Sequence, residues 1–261
     1  MKFVAYYKKV YPKKKLKVKF DKRKNQRPAW IKVEGLPKGV NFISIHLGKK
    51  GIEGERIQFY KTYLPEGLFL PTNYTKEEMK RFYDKFSEIY DYDIGHSGAG
   101  GGQNILAAEF LIKKLKKYIQ KGELLDLGAG TGLITEMFVK EGFSPATLVD
   151  YSDGMLNKAK KRKGLKKSKF IKADLRKLKL GKKYDLILSF FSLGSSSYFS
   201  KEELESIINN IRKHLKKNGI IVLLGHMPLP EFEKEFKKLE SGIYCLNSKK
   251  EFYTDYFIGK N

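Results

Sequence analysis

One stretch, Glu123-Leu-Leu-Asp-Leu-Gly-Ala-Gly-Thr-Gly-Leu-Ile-Thr-Glu-Met-Phe-Val139, restricts the fold more than any other part of the chain. A short apolar run ends in Asp126-Leu127, glycine then occupies positions 128, 130 and 132, and a helix-compatible pattern follows. Such a sequence reads as strand, tight turn and helix. Glycine in the turn admits a positive φ and lets backbone N–H groups approach a ligand with no Cβ in the way. The helix start behind it favours acceptor atoms. The turn is read as a cradle for a nucleotide-like cofactor.

The next elements decide which cofactor. The dinucleotide fingerprint G-x-G-x-x-G, counted from Gly128, needs glycine at 133, where the chain has Leu133. A second apolar run, Ala146–Val149, ends in Asp150, about 20 residues after the turn, where a carboxylate accepts from ribose hydroxyls. A third run, Lys169–Ala173, ends in Asp174-Leu175, and a fourth, Lys183–Leu188, ends in Ser189-Phe190-Phe191.

The four blocks LLDLGAGTG, LVDYSDGML, IKADLRKL and YDLILSFFSLG, in this order, resemble the successive motifs of class I S-adenosylmethionine-dependent methyltransferases. The likeness is to the broad subgroup that includes ubiquinone- and menaquinone-biosynthesis enzymes. It continues through Ile207–Leu224 and covers roughly residues 75–258. The fold it implies is α/β, a Rossmann-like sheet closing with an antiparallel hairpin. Ile243–Leu246 and Glu251–Ile258 read as that hairpin, which a plain dinucleotide-binding domain lacks.

The resemblance also implies roles. Asp126 and the turn Gly128, Ala129, Gly130 and Gly132 would contact the amino-acid end of S-adenosyl-L-methionine. Asp150 would accept from both ribose hydroxyls, and Tyr151 and Met155 would flank the adenine. Asp174 would accept from the adenine amino group and the Leu175 N–H would reach a ring nitrogen. Ser189 and Phe190 would lie beside the methionine portion. Phe82–Asp91 resembles the family's N-terminal helix and would bring Tyr90 near the sulfonium. Ala129 stands where many relatives have cysteine or another small residue.

Length and charge bound the rest. The 261 residues suffice for one large domain and an appendage. The single cysteine, Cys245, excludes an internal disulfide framework and fits a reducing compartment. The first residues have no signal-peptide core and no run is long enough to span a membrane, so the expectation is a soluble, cytoplasmic protein. Net charge is +24, and residues 1–70 hold 18 Lys and Arg against 5 Asp and Glu. Lys13–Arg27 is the densest basic stretch. It fits RNA or another polyanion as a partner. It equally fits a solvated surface, because 46 of the 53 basic residues are Lys and only 7 are the Arg that phosphate recognition favours.

Residues 1–71 read as about five short strands, Lys2–Val10, Leu16–Phe20, Trp30–Val33, Val40–Leu47 and Arg56–Tyr63, separated by Pro- and Gly-rich turns. They suit a small oligonucleotide-binding barrel or a β-rich extension that packs on the domain of residues 72–261. Thr75-Lys-Glu-Glu opens a helix with a capping box. Five glycines in residues 95–102 suit a lid or a hinge. The next helix, Ile105–Lys121, offers Ile105, Leu106, Phe110, Leu111, Leu115, Tyr118 and Ile119 as its apolar face. Pro230–Leu239 reads as a further helix.

Methyl transfer is an in-line displacement governed by alignment, and it needs a general base only when the acceptor must lose a proton. Tyr90, Tyr92, His96, the loop Ser192–Tyr198 and His226 are the weak candidates for a catalytic group. No zinc-spaced His/Cys cluster is present, and no metal is expected. Ser189-Phe-Phe-Ser192 lacks the Asn/Asp-Pro-Pro-aromatic motif of base amino-group methylases, and the lone cysteine disfavours the two-cysteine pyrimidine route. The leading acceptor is a small molecule. RNA or protein methylation and a non-catalytic binding role are the alternatives.

Overall fold

A computed structural model describes residues 2–5, 17–21, 28–36, 42–46, 56–61, 68–71, 75–95, 103–193, 198–225, 230–245 and 253–261. Two sheets organise them. The first holds β1 (Lys2–Ala5), β2 (Lys17–Phe20), β3 (Ile31–Glu34), β4 (Phe42–His46), β5 (Arg56–Lys61) and β6 (Leu68–Pro71) in the order β1-β4-β5-β6-β3-β2. Every ladder is antiparallel. The sequence reading gives five strands; the sixth, Leu-Phe-Leu-Pro, lies between two prolines, with Pro71 as its last residue. A strand end tolerates proline because no further ladder N–H is needed there. Among the described residues no ladder joins β1 to β2.

The second sheet has the order β12-β13-β11-β10-β7-β8-β9. Its parallel part is β7 (Leu124–Leu127), β8 (Ala146–Asp150), β9 (Lys169–Lys172), β10 (Tyr184–Phe190) and β11 (Leu215–Gly225). β13 (Tyr253–Lys260) runs antiparallel to β11, and β12 (Lys237–Cys245) antiparallel to β13. This is the Rossmann-like sheet with a terminal antiparallel hairpin. Both faces are covered, which is why its central strands carry near-continuous apolar runs such as Leu124-Leu125 and Leu186–Leu188. Leu124, Leu148, Leu186, Leu188 and Val222 face α3 (Gln103–Leu115), α4 (Leu133–Lys140) and α5 (Asp153–Ala159). Leu125, Leu127, Val149, Ile187 and Ile221 face α6 (Lys201–Lys213) and α7 (Pro230–Glu235). Phe138 of α4 is fully buried, and truncating it to alanine would cost about 3–5 kcal/mol.

Several boundaries differ from the sequence reading. Of the expected α3 face, Leu106 and Tyr118 are exposed, while Ala107, Ala108 and Ile112 are buried. The buried stripe Ala108, Leu111, Ile112, Leu115 keeps helical spacing, and geometry rather than side-chain size selects it. α7 ends at Glu235, and Lys237–Leu239 already belong to β12. β11 begins at Leu215; its Lys-Asn-Gly turn survives as a register break, with Asn218 at φ 68°.

The two sheets meet through α1 (Lys76–Phe86), which starts with the expected capping box of Thr75 and Glu78. One side of α1 takes the first sheet. The Arg81 guanidinium lies 2.5 Å from Asp21, and Trp30 packs against Phe82, Phe86 and Met155. The other side rests on the start of α5. The Asp84 carboxylate accepts from Ser152 Oγ at 2.7 Å and from Gly154 N at 3.0 Å. Among the described residues, no helix is long and apolar enough to cross a membrane.

Candidate cofactor site

The strand order reverses between β7 and β10, and in open α/β sheets ligands bind beyond the carboxyl ends of strands at such a point. A cavity of about 340 Å³ lies there. Among its lining residues are Tyr90, Gly128, Gly130, Asp150, Tyr151, Met155, Asp174, Leu175 and Phe190. A smaller space of about 20 Å³ shares Tyr90, Gly128 and Phe190 with it and adds Asp126 and Ala129. The structure therefore gathers eleven of the thirteen sequence-derived residues around one connected region of the sheet edge. Gly132 and Ser189 line neither space. Gly132 caps α4 at φ 71°, and an added Cβ would stand 2.6 Å from Leu165. Ser189 is fully buried, and its hydroxyl accepts from Leu193 N at 3.1 Å.

The turn is held from β8. Gly128 N and Ala129 N donate to the Val149 carbonyl at 2.8 and 3.0 Å. The Asp150 carboxylate accepts from Gly130 N and Ser152 N, both at 2.8 Å. Burial pushes this carboxyl above its ordinary value. Gly130, at φ 56°, is the glycine that faces the cavity: an added Cβ would meet only the Tyr90 ring at 3.9 Å and the Met155 sulfur at 4.0 Å. Its bare backbone is open floor.

Asp126 is buried at the end of β7, and Thr135 Oγ1 donates to it at 2.5 Å. Burial, with the nearby Asp150 charge, pushes its carboxyl up to about 7. A cationic ligand group here would relieve that strain. Burial first, then the negative groups around it, raises the Tyr90 phenol, so the side chain stays an O–H donor. Asp174 accepts from Arg176, through its backbone N at 3.0 Å and its Nη2 at 2.8 Å. Phe191 holds a left-handed φ of 54° at the cavity edge, and its N–H donates to the Leu224 carbonyl at 2.7 Å. A non-glycine residue there is strained, as residues at ligand sites often are.

Sequence reasoning missed the wall that α1 provides, and in the loop before α6 it reached Tyr198 but not Phe199. Lys80, Tyr83 and Phe86 line the cavity from α1, and Tyr198 and Phe199 from the opposite side. The Tyr83 and Tyr198 hydroxyls hydrogen-bond across it. Burial alone would lift the Asp84 carboxyl, but bonds from Lys80, Gly154 and Ser152 hold it below the ordinary range. The helical spacing of Met79, Phe82 and Phe86 was a visible signal for one face; the pairing of Tyr83 with Tyr198 had none. Asn104, at the start of α3, borders both spaces and is also new. His96 and His226 lie outside the described residues, as does most of Lys13–Arg27. His214 caps α6, where burial lowers its pKa. Among the described residues no cluster of three or more His, Cys, Asp or Glu is placed to hold a metal.

The residues present suit the cofactor that the motifs imply. An open glycine floor, a carboxylate at Asp150 already fixed by two N–H bonds, a buried carboxyl at Asp126 and an aromatic wall match a diol, an amine and a flat base in one ligand.

Residues 124–219 match the family described as Methyltransferase domain. The chain is 30% identical over 133 residues to dTDP-3-amino-3,4,6-trideoxy-alpha-D-glucopyranose N,N-dimethyltransferase of Streptomyces venezuelae, covering 51% of this chain and 54% of that protein. It is 27% identical over 154 residues to a ubiquinone biosynthesis O-methyltransferase of Rickettsia canadensis, covering 57% and 62%. The chain thus spans about half the length of the curated relatives it matches. In fold it is similar to magnesium protoporphyrin IX methyltransferase from Synechocystis PCC 6803 with bound SAM, at TM-score 0.56 and 16% identity, covering 73% of this chain and 100% of that one.

Proposed function

We propose that this chain, which carries a class I S-adenosylmethionine-dependent methyltransferase domain, transfers a methyl group from S-adenosyl-L-methionine to a small-molecule acceptor. One observation supports this above the others: residues from the ends of β7, β8, β9 and β10 line adjoining spaces at the reversal of the strand order. The relatives' names point to varied acceptors: an amino sugar, a malonyl group on an acyl-carrier protein, and a step of ubiquinone biosynthesis. We read residues 1–71 as a β-rich extension and residues 72–261 as the methyltransferase domain.

The bound cofactor supplies an electrophilic methyl group on a sulfonium. In this reading Asp150 takes the ribose hydroxyls on the lone pairs that Gly130 and Ser152 leave free. Asp126 pairs with the amino group, and Tyr151 and Met155 flank the adenine. Asp174, held in place by Arg176, and the Leu175 N–H read the adenine edge. Tyr90 and Phe190 border the methionine portion, while Gly132 and Ser189 shape the turn and the β10 loop from behind. The aromatic wall excludes water and leaves alignment as the main source of rate. Where the acceptor carries a proton that must leave, the candidates for the base remain Tyr90, His96 and His226.

Calorimetric titration with S-adenosylmethionine, S-adenosylhomocysteine and NAD tests the reading. Binding of the two sulfur compounds and not of NAD is expected, and binding of neither would overturn it. The RNA alternative predicts a salt-sensitive mobility shift that neutralising Lys13–Lys15 weakens; a small-molecule enzyme gives none at moderate salt.

A further inference from the structure

Arg162 follows α5 and belongs to none of the four motif blocks. Its side chain is nonetheless the hub of a charged cluster beside the glycine turn. Nε donates to the Thr131 carbonyl at 2.6 Å, in the middle of the turn. Nη1 reaches Glu136 of α4 at 3.1 Å. Nη2 pairs with the Asp91 carboxylate, and the buried Thr131 hydroxyl donates to the other oxygen of the same carboxylate. Glu136 is itself fixed by Gly164 N at 2.9 Å. Asp91 sits in α2 (Tyr90–Gly95), directly after the tyrosine whose ring stands over Gly130. A six-residue helix has little stability of its own, so its placement depends on tertiary contacts.

Resting on the reading above, we infer that Arg162 and Thr131 are positioning residues. They act through Asp91 to clamp Tyr90 over the cofactor floor, and the clamp governs how long the cofactor is retained. The planar fork matters. One guanidinium spans three acceptors on α2, the turn and α4, which a lysine ammonium does not reproduce in the same plane. The cluster thereby ties three elements that border the methionine end: the floor (Thr131), the helix behind it (Glu136) and the roof (Asp91).

The test is the dissociation rate of S-adenosylhomocysteine from the full chain, measured by stopped flow. Because Arg162→Met removes all three charge-assisted contacts at once, it should speed release by roughly tenfold or more. Arg162→Lys should recover only part of this. Thr131→Val, which removes one hydroxyl and keeps the shape, should change release in the same direction and by less. It also serves if Arg162→Met does not fold. Coupling separates positioning from bulk stability: in a Tyr90→Ala background, Arg162→Met should add little further acceleration. Unchanged release in both Arg162→Met and Thr131→Val, or full additivity with Tyr90→Ala, would overturn the clamp while leaving the cofactor assignment standing. A wild-type chain that binds neither sulfur compound would remove the cofactor reading, and the clamp with it.

Discussion

The two sheets are built on opposite principles. In the second, the carboxyl ends of β7, β8, β9 and β10 bring Asp126, Asp150, Asp174 and Phe190 to two adjoining spaces. In the first, all ladders are antiparallel and the neighbours β1-β4 and β6-β3 are far apart in sequence. Its one described polar tie to the rest is Asp21 on Arg81, beside the packing of Trp30. In the proposed reading one sheet binds and the other braces, and the contrast can be tested by breaking each at its own pivot.

The largest effect is expected at Asp150. Asp150→Ala removes a carboxylate fixed by two backbone N–H groups, and two charge-assisted ribose contacts correspond to about 3 kcal/mol, or a hundredfold or more in affinity. Circular dichroism should stay native; unchanged cofactor affinity would remove the ribose assignment. Next comes Asp21→Ala, which leaves the buried Arg81 guanidinium without this partner. A loss of about 2–3 kcal/mol is expected in chemical denaturation, with affinity falling far less than in Asp150→Ala. Equal losses of affinity in the two variants would erase the distinction between binding and bracing.

A finer contrast lies within the turn. Alanine at either left-handed glycine costs about 1–2 kcal/mol in backbone strain. Gly132→Ala also drives a Cβ into Leu165, so it should lower the melting temperature. Gly130→Ala faces open space and should mainly weaken cofactor binding. The smallest effect concerns pH. The Asp126 carboxyl is raised in the folded chain to about 7 from 3.8. Its stabilising contribution is therefore complete below 3.8 and lost as pH rises through about 7 in the ligand-free protein. If the amino group of the cofactor pairs with the ionised form, affinity should be about tenfold weaker at pH 6 than at pH 8. A flat profile would dissociate Asp126 from the amino group.

The same contrast explains what was legible beforehand. Gly130 and Asp150 follow from the strand, turn and carboxylate spacing, and Asp126 and Asp174 from the resemblance of their blocks; all four line the adjoining spaces. The Arg176 clasp on Asp174 depends on a single turn over Leu175–Lys177, for which the sequence has no marker. The hydroxyl pair Tyr83–Tyr198 and the Arg162 cluster join residues distant in the chain, so no local period reveals them. β12 was read in part as helix because Phe232 and Phe236 keep helical spacing, while Lys237, Lys238 and Glu240 look like a solvated helix face. Charges of this kind are also what an edge strand carries, and pairing with β13 decides the outcome.

Asp84 gives the bracing sheet a thermodynamic voice. Its carboxylate grips the loop that follows Asp150, and an added Cβ on Gly154 would lie 2.5 Å from the Asp84 carbonyl, so α1 and α5 are in backbone contact. A ligand that orders that loop also orders α1, and α1 carries Arg81 to Asp21. By mass action, saturating the cofactor site should protect the amides of the N-terminal sheet from exchange, though no described residue of that sheet lines the cavity. Cofactor supply would then set how long this part of the chain survives proteolysis, making abundance as well as turnover a function of methyl-donor concentration.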